Sequence, residues 1–388
     1  MSYRRELPNN YVEEDGYIIS PPDRTLIIVT IFLVVIGVMA IFSAGSSKAV
    51  VEGLSPLFYT VRQFVWLIVG IAGAVFFTKY DYKKLENFAM PLAVVVLILL
   101  ILVQFTPLGK MVNEAKRWLV LGPIQFQPSE LAKPAVILMF AHIFTRDTII
   151  LNAKKIPYFV IFACMLLLVY KQPNLSMIIL LLVTASVIFY MAGGMSAIKM
   201  AFTYILAAAA ASPLIKGYQW QRIVVWLDPN KDPHNAGYNI IQSLVAFAGG
   251  GFFGVGYGNS KQKLQWLPEG HTDFIFSVIA EEFGFLGCFF IICLFAIFVH
   301  RGLIIALRSP DMFGKLVSVG ITFSIGFQAL MNISVASSFL PATGIPLPFI
   351  SYGGSSLAVS LCMLGVLLNI SKKRVQRIRP YNVQRYMQ

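Results

Sequence analysis

The sequence predicts an all-α, polytopic integral membrane protein of about ten transmembrane helices, and three observations carry that prediction: composition, recurrent apolar runs and the placement of basic residues. Of 388 residues, 57% are hydrophobic and only 13% charged, about half the charged share of an ordinary soluble domain. Apolar runs near 20 residues recur along the chain, each long enough to cross about 30 Å of hydrocarbon at about 1.5 Å per residue. No soluble domain of useful size is left over.

Residues 1–24 are polar and charged and read as a cytoplasmic tail. The first apolar run, 25–44, exceeds the roughly 7–15 residues of a secretory signal core, so it reads as an uncleaved span. Further spans are expected at 57–77, 86–105, 128–145, 157–170, 175–192, 197–215, 273–299, 316–336 and 347–370. They make 25–370 one transmembrane domain, with a long extracytoplasmic loop, 216–272, between the seventh and eighth spans and a basic cytoplasmic tail at 371–388. The short stretch Tyr238 to Phe253 runs into Gly249-Gly250-Gly251 and suits a re-entrant or interfacial helix better than a span. Counting it as a span would invert everything downstream, and the basic residues decide against that. With ten spans, 19 of the 31 lysines and arginines fall on the side of both termini and 10 on the other, as expected when both termini are cytoplasmic. The net charge of +13 is therefore mostly topology, with a tail suited to anionic lipid and no sign of a nucleic-acid partner. Cys164, Cys288, Cys293 and Cys362 all lie in apolar runs without metal-ligand spacing, the four histidines are scattered, and no metal site is indicated.

The basic residues expected outside cluster in loops rich in Trp, Tyr, Gly and Pro, which suits a polyanion handled at the outer surface. In the first cluster, Lys116 and Arg117 precede Trp118, an arrangement able to pair phosphate beside an interfacial indole. Pro128 and Ser129 suit a helix start, after which Glu130 and Lys133, three apart, share a face and can neutralise one another. The long loop contributes Arg222 and a Gly-rich stretch ending in Lys261 and Lys263, which matches no nucleotide fingerprint. A third cluster, Leu267 to Gly284, places Asp273 at a helix start, where it serves either as a plain N-cap or as a reactive carboxylate above a small-residue face. Glu281 and Glu282 follow about two turns deeper, with Arg62 and Lys133 as the available intramembrane cations. The fourth cluster, Ser338 to Ser356, holds three prolines and a Gly-Gly-Ser-Ser run suited to rigid turns and close helix approach.

Together these strings resemble the SEDS family of peptidoglycan glycosyltransferases, the group of FtsW, RodA and SpoVE. The likeness rests on Ala115-Lys-Arg-Trp118, Gln127-Pro-Ser-Glu130, Leu267-Pro-Glu269, His271-Thr-Asp-Phe-Ile-Phe276, Glu281-Glu-Phe-Gly284 and Pro346 to Ser355, with Ser260 to Leu264 closer to the FtsW and SpoVE branch. The resemblance implies a bacterial cytoplasmic-membrane enzyme that polymerises lipid II on the outer face, in division, sporulation or shape maintenance. A sugar 4-hydroxyl attacks and undecaprenyl pyrophosphate leaves. Asp273 matches the family's essential aspartate, and the chemistry of a single displacement assigns it here as general base, with Lys116, Arg117 and Trp118 together with Arg222, Lys261 and Lys263 expected on the lipid-linked pyrophosphate. Glu130, Lys133, Glu281 and Glu282 are supporting polar groups. No cofactor is required by the motifs, although Mg²⁺ or Mn²⁺ could share the pyrophosphate charge. The implied partners are a class B penicillin-binding protein and other divisome or elongasome components. Glu114, Asn174 and Ser176 depart from the family pattern. Two other functions fit the same architecture: a lipid II flippase, with essential charges near the midplane, and a non-catalytic scaffold for cell-wall enzymes.

Overall fold

The computed structural model describes residues 12–14, 17–112, 115–122, 124–145, 153–196, 199, 217–233 and 237–375. The expected seventh span, 197–215, lies outside the described residues save for Lys199, as do Glu114, Lys216 and the tail from 376. In chain order the helices are α1 (Arg24–Val51), α2 (Phe58–Lys79), α3 (Tyr82–Phe105), α4 (Pro128–Phe144), α5 (Ala153–Lys171), α6 (Leu175–Met191), α7 (Gly217–Leu227), α8 (Tyr238–Gly250), α9 (Ile275–Arg308), α10 (Met312–Ala336) and α11 (Gly354–Lys372). Seven of them, α1, α2, α3, α5, α9, α10 and α11, are long and apolar enough to cross a bilayer. The chain is therefore a mostly helical, multi-pass membrane protein.

Local chemistry starts these helices where the polar residues fall. Asp23 caps α1 by accepting from the Leu26 N–H at 3.0 Å, Asn174 caps α6 from Met177 at 3.2 Å, and Asp311 caps α10 from Gly314 at 2.7 Å. Pro128 opens α4, where a missing N–H costs nothing. The centre of the bundle is α11 and α10, with 89% and 72% of their apolar windows buried, against 22% for α2, whose outer face is left to lipid. The α2 and α11 backbones approach through small residues. A Cβ added at Gly365 would stand 2.4 Å from the Ala74 carbonyl oxygen.

The architecture departs from the all-α expectation in two small antiparallel sheets. One joins β1 (Val12–Glu14), β2 (Tyr17–Ile19) and β6 (Lys373–Val375), setting the segment before α1 against the segment after α11. The other orders β3 (Gly109–Val112), β4 (Ala115–Leu121) and β5 (Ile124–Phe126) between α3 and α4, with Lys110 opposite Trp118 and Leu119 opposite Phe126. Short β-branched and aromatic runs between turns supply the pairing. The last helix begins at Gly354 rather than near residue 347, because Pro346 and Pro348 hold the preceding residues out of the helical region and Phe349 sits at φ 65°.

The larger departure is in α9, expected as an unbroken span over 273–299. It runs from 275 to 308 and is interrupted at Gly284, φ 64° and ψ −162°, a conformation essentially reserved to glycine. The segment after α8 fills the break. Phe285 and Leu286 donate their N–H groups to the carbonyls of Gly251 and Phe252, at 2.9 and 3.2 Å, while the Glu281 and Glu282 carbonyls accept from Val255 and Gly256, both at 3.0 Å. Backbone groups released by the break are thus satisfied within the protein, as the apolar surroundings demand. As expected, 238–253 holds only a short helix: α8 has 13 residues and stops at Gly251.

Candidate functional site

Asp273 lies two residues before α9, in the loop that follows Leu267. It is not a helix cap, and neither is Thr272. The N-cap is Phe274, with no side-chain cap bond, and the Thr272 hydroxyl donates to the Glu269 carboxylate at 2.8 Å. Two arginines from distant parts of the chain face the Asp273 carboxyl. Arg117, on β4, donates through Nε to the Gln172 carbonyl at 2.8 Å and through Nη2 to the Pro173 carbonyl at 2.7 Å. These bonds point the guanidinium from the small sheet across the α5–α6 turn. Arg222, on α7, donates to the Ala342 carbonyl at 3.2 Å, and its neighbour Trp226 donates to the Ser338 carbonyl at 3.0 Å. The helix therefore rests on the Pro-rich loop between α10 and α11. Gly344 of that loop marks the meeting point: a Cβ built there would lie 3.5 Å from Asp273 Oδ2 and 3.6 Å from Arg117 Nη1.

The electrostatics of this pocket set the Asp273 ionisation. Removal from water and the nearby Glu269 carboxylate raise its pKa, Arg117 and Arg222 pull it down, and the balance stands at about 7 against an ordinary 3.8. A carboxyl poised there accepts a proton readily at physiological pH. His271, two residues earlier, is buried between Tyr59 and Tyr352, with ring centroids at 5.0 and 5.7 Å. Burial and Lys48 press its pKa down to about 3, so it is a neutral packing ring and no acid.

The other expected site residues separate into three places. Lys116 and Trp118 flank Arg117 on β4, and since successive strand side chains alternate they share the face opposite to it. Lys263 does not stand with the arginines. It turns inward, 9% exposed, and its ammonium pairs with Glu282 at 3.1 Å and donates to the Ser43 hydroxyl at 2.8 Å and the Gly258 carbonyl at 2.5 Å. Glu282 thus takes its cation from the loop rather than from Arg62 or Lys133. Glu281 accepts from the N–H groups of Lys261 and Gln262, at 3.0 and 3.2 Å, and from the Ser260 hydroxyl. Adjacent glutamates therefore fasten the 251–266 segment to α9, leaving the Lys261 side chain exposed. Glu130 and Lys133 pair at 2.6 Å with 1% of each side chain exposed, and Lys133 also donates to Gln328 at 2.9 Å. Gln328 in turn donates to the Pro346 carbonyl at 2.8 Å, linking this buried pair to the loop at Asp273.

Sequence reasoning missed Asn332, Gln328, Ser351 and Gly344, which shape the backbone around Asp273. Asn332 and Gln328 carry a legible signal: two amides four apart in an apolar helix, hence on one face. Among the described residues no three His, Cys, Asp or Glu side chains come together as a metal-holding group.

The chain as a whole has relatives among known proteins. Residues 23–376 match the FtsW, RodA and SpoVE family, described as cell cycle proteins. A probable peptidoglycan glycosyltransferase FtsW of Trichlorobacter lovleyi is 38% identical over 90% of this chain and 93% of its own. The stage V sporulation protein E of Bacillus subtilis is 36% identical over 90% and 97%. Among solved structures, a chain of a peptidoglycan synthase complex, studied for its coordination of polymerization and crosslinking, superposes with a TM-score of 0.74 at 30% identity, covering 90% and 97% of the two chains. The rod shape determining protein RodA of Thermus thermophilus follows at 0.68 and 28%, covering 92% and 98%.

Proposed function

The chain belongs to the FtsW, RodA and SpoVE family of cell cycle proteins, and from that premise we propose that it is a peptidoglycan glycosyltransferase polymerising lipid II at the outer face of the bacterial cytoplasmic membrane. The observation that carries the reading is the Asp273 carboxyl, tuned to about 7 and faced by two arginines held by backbone carbonyls. In this reading the acceptor sugar's 4-hydroxyl gives its proton to Asp273 as its oxygen attacks the donor anomeric carbon. The bond to undecaprenyl pyrophosphate breaks, and the leaving group takes the electron pair. A single displacement inverts the anomeric centre and needs one base, not the paired carboxylates of a hydrolase. Arg117 and Arg222 stabilise the negative charge that develops on the pyrophosphate, and they do so without reorganising because their carbonyl partners fix them. Lys116, with Trp118 at the headgroup level, lies one residue from that charge on the other face of β4 and serves the approach of the lipid-linked substrate. Lys261 is the outermost attraction for the anion, whereas Lys263 belongs to the Glu282 clasp.

The proposal includes ten spans, cytoplasmic termini and an outer 216–272 loop. At 17 residues each, α4 and α6 reach the lower limit for spanning. A class B penicillin-binding protein, crosslinking the strand made here, is the proposed partner within a divisome or elongasome. Mg²⁺ or Mn²⁺ enters only as a companion of the pyrophosphate.

The deciding experiment gives purified protein labelled lipid II, with and without a cognate transpeptidase, and resolves products by length. Wild type is expected to make long glycan, and Asp273→Asn, folded and still binding lipid II, to lose about 10²–10⁴-fold in rate. Full-rate glycan from Asp273→Asn would remove the assignment. The interrupted α9, with acidic residues beside the break, favours a flippase as the second reading, since transporters place broken helices at their sites. That reading requires lipid II translocation by Asp273→Asn and its loss in Glu282→Gln.

A further inference from the structure

Three successive carbonyls, ending at Asp273, are held from the far side of the pocket. The His271 carbonyl accepts from the Tyr352 N–H at 3.0 Å, that of Thr272 from the Ser351 hydroxyl at 2.7 Å, and that of Asp273 from the Asn332 side-chain amide at 2.8 Å. Asn332 does more than the others. The same amide nitrogen also donates to the Ile345 carbonyl at 2.8 Å, so both segments that wall the pocket hang on one nitrogen of α10. Ile345 directly follows Gly344, the point flanked by Asp273 Oδ2 and Arg117 Nη1. Asn332 is 1% exposed, and its Oδ1 is buried with no hydrogen-bond partner among the described residues. The amide orientation is forced, because the reverse would set an oxygen against two carbonyls. Keeping a buried, unpaired oxygen in order to donate twice is a costly way to pack a helix that a leucine of similar shape would pack as well.

We infer that Asn332 is a positioning residue for the glycosyl-transfer site, fixing the Asp273 peptide against the Gly344–Ile345 segment and thereby setting where the carboxylate stands relative to Arg117. One turn away Gln328 holds the next carbonyl, Pro346, and Lys133 braces it through Gln328, so the loop cannot readily shift to compensate for a lost Asn332. The charged groups that face Asp273 are Glu269, Arg117 and Arg222, and a displaced carboxyl meets a different balance of all three.

This inference rests on the glycosyltransferase reading, and two measurements keep them apart. Wild type, Asn332→Leu, Asn332→Ser and Asp273→Asn are assayed on lipid II between about pH 5 and pH 9. Separately, without substrate, wild type and both Asn332 variants are treated with dicyclohexylcarbodiimide across the same range. Its reaction with Asp273, followed by peptide mass spectrometry, needs the protonated carboxyl. Asn332→Leu is expected to lose on the order of 10²-fold in kcat with a smaller change in KM, and to shift the rate limb and the labelling midpoint together. Asn332→Ser, which keeps one donor, is expected to fall between Leu and wild type, and it carries the labelling test if Leu does not fold. Labelling midpoints identical to wild type in the folded variants would overturn the inference and leave Asn332 a packing residue. An inactive wild type, or a fully active Asp273→Asn, would instead remove the glycosyltransferase reading, while the labelling midpoint still decides whether Asn332 positions Asp273.

Discussion

Asp273 is a carboxylate whose charge the fold disfavours and two arginines partly restore. Its folded pKa of about 7 lies above the ordinary 3.8, so the ionised base is scarce in acid and gains population as pH rises through that value. A polymerisation rate limited by this base should therefore climb with pH along a limb centred near 7 and level off above it, read from initial rates on lipid II. The neighbours fix the sign of each variant. Arg117→Gln removes a group that lowers the pKa, so the limb moves to higher pH and the plateau falls as the pyrophosphate loses a partner. Glu269→Gln removes a group that raises it, and the limb moves to lower pH. Asp273 and Arg117 were legible as residues from their motifs. Their meeting was not, because it depends on the Gln172 and Pro173 carbonyls, 55 and 56 positions along the chain, which aim the guanidinium.

The broken α9 and the 251–266 segment form one element, although sequence reading separated them into a span and a loop. Gly284 and the Gly249-Gly-Gly251 run were visible. What composition hid was that the two complete each other's hydrogen bonding. Lys263 shows the same limitation: a lysine in a Gly-rich outer loop reads as a cation for the substrate's pyrophosphate, yet the fold buries it against Glu282. The pair makes a stability prediction. Lys263→Met strands a glutamate that is 1% exposed and is expected to cost about 3–5 kcal/mol, measured by thermal or denaturant unfolding in detergent. Lys263→Met combined with Glu282→Gln should recover most of that loss, because no buried charge remains unpaired. Equal losses in the single and double variants would mean that the segment is held by its backbone bonds alone.

At the level of the whole molecule, orientation and function stand together, because a lipid II polymerase must present Asp273 outside. In a background without the four native cysteines, Lys110→Cys, exposed on the sheet that carries Arg117, should react with a membrane-impermeant maleimide in intact cells, and Lys83→Cys only after permeabilisation. The reverse pattern would invert the topology and remove the proposed function with it. The membrane class and most of the helical span positions were legible in sequence alone, since hydropathy and helix starts are local properties, and Asp273 was singled out there because short motifs survive in linear order. Tertiary structure decided which charges meet. Arg117 reaches Asp273 from a three-stranded sheet, Lys263 is spent on Glu282, and Asn332 ties two loops to one nitrogen. These pairings are long-range. In an apolar interior each polar group must find a partner somewhere in the fold, and only the path of the whole chain determines which.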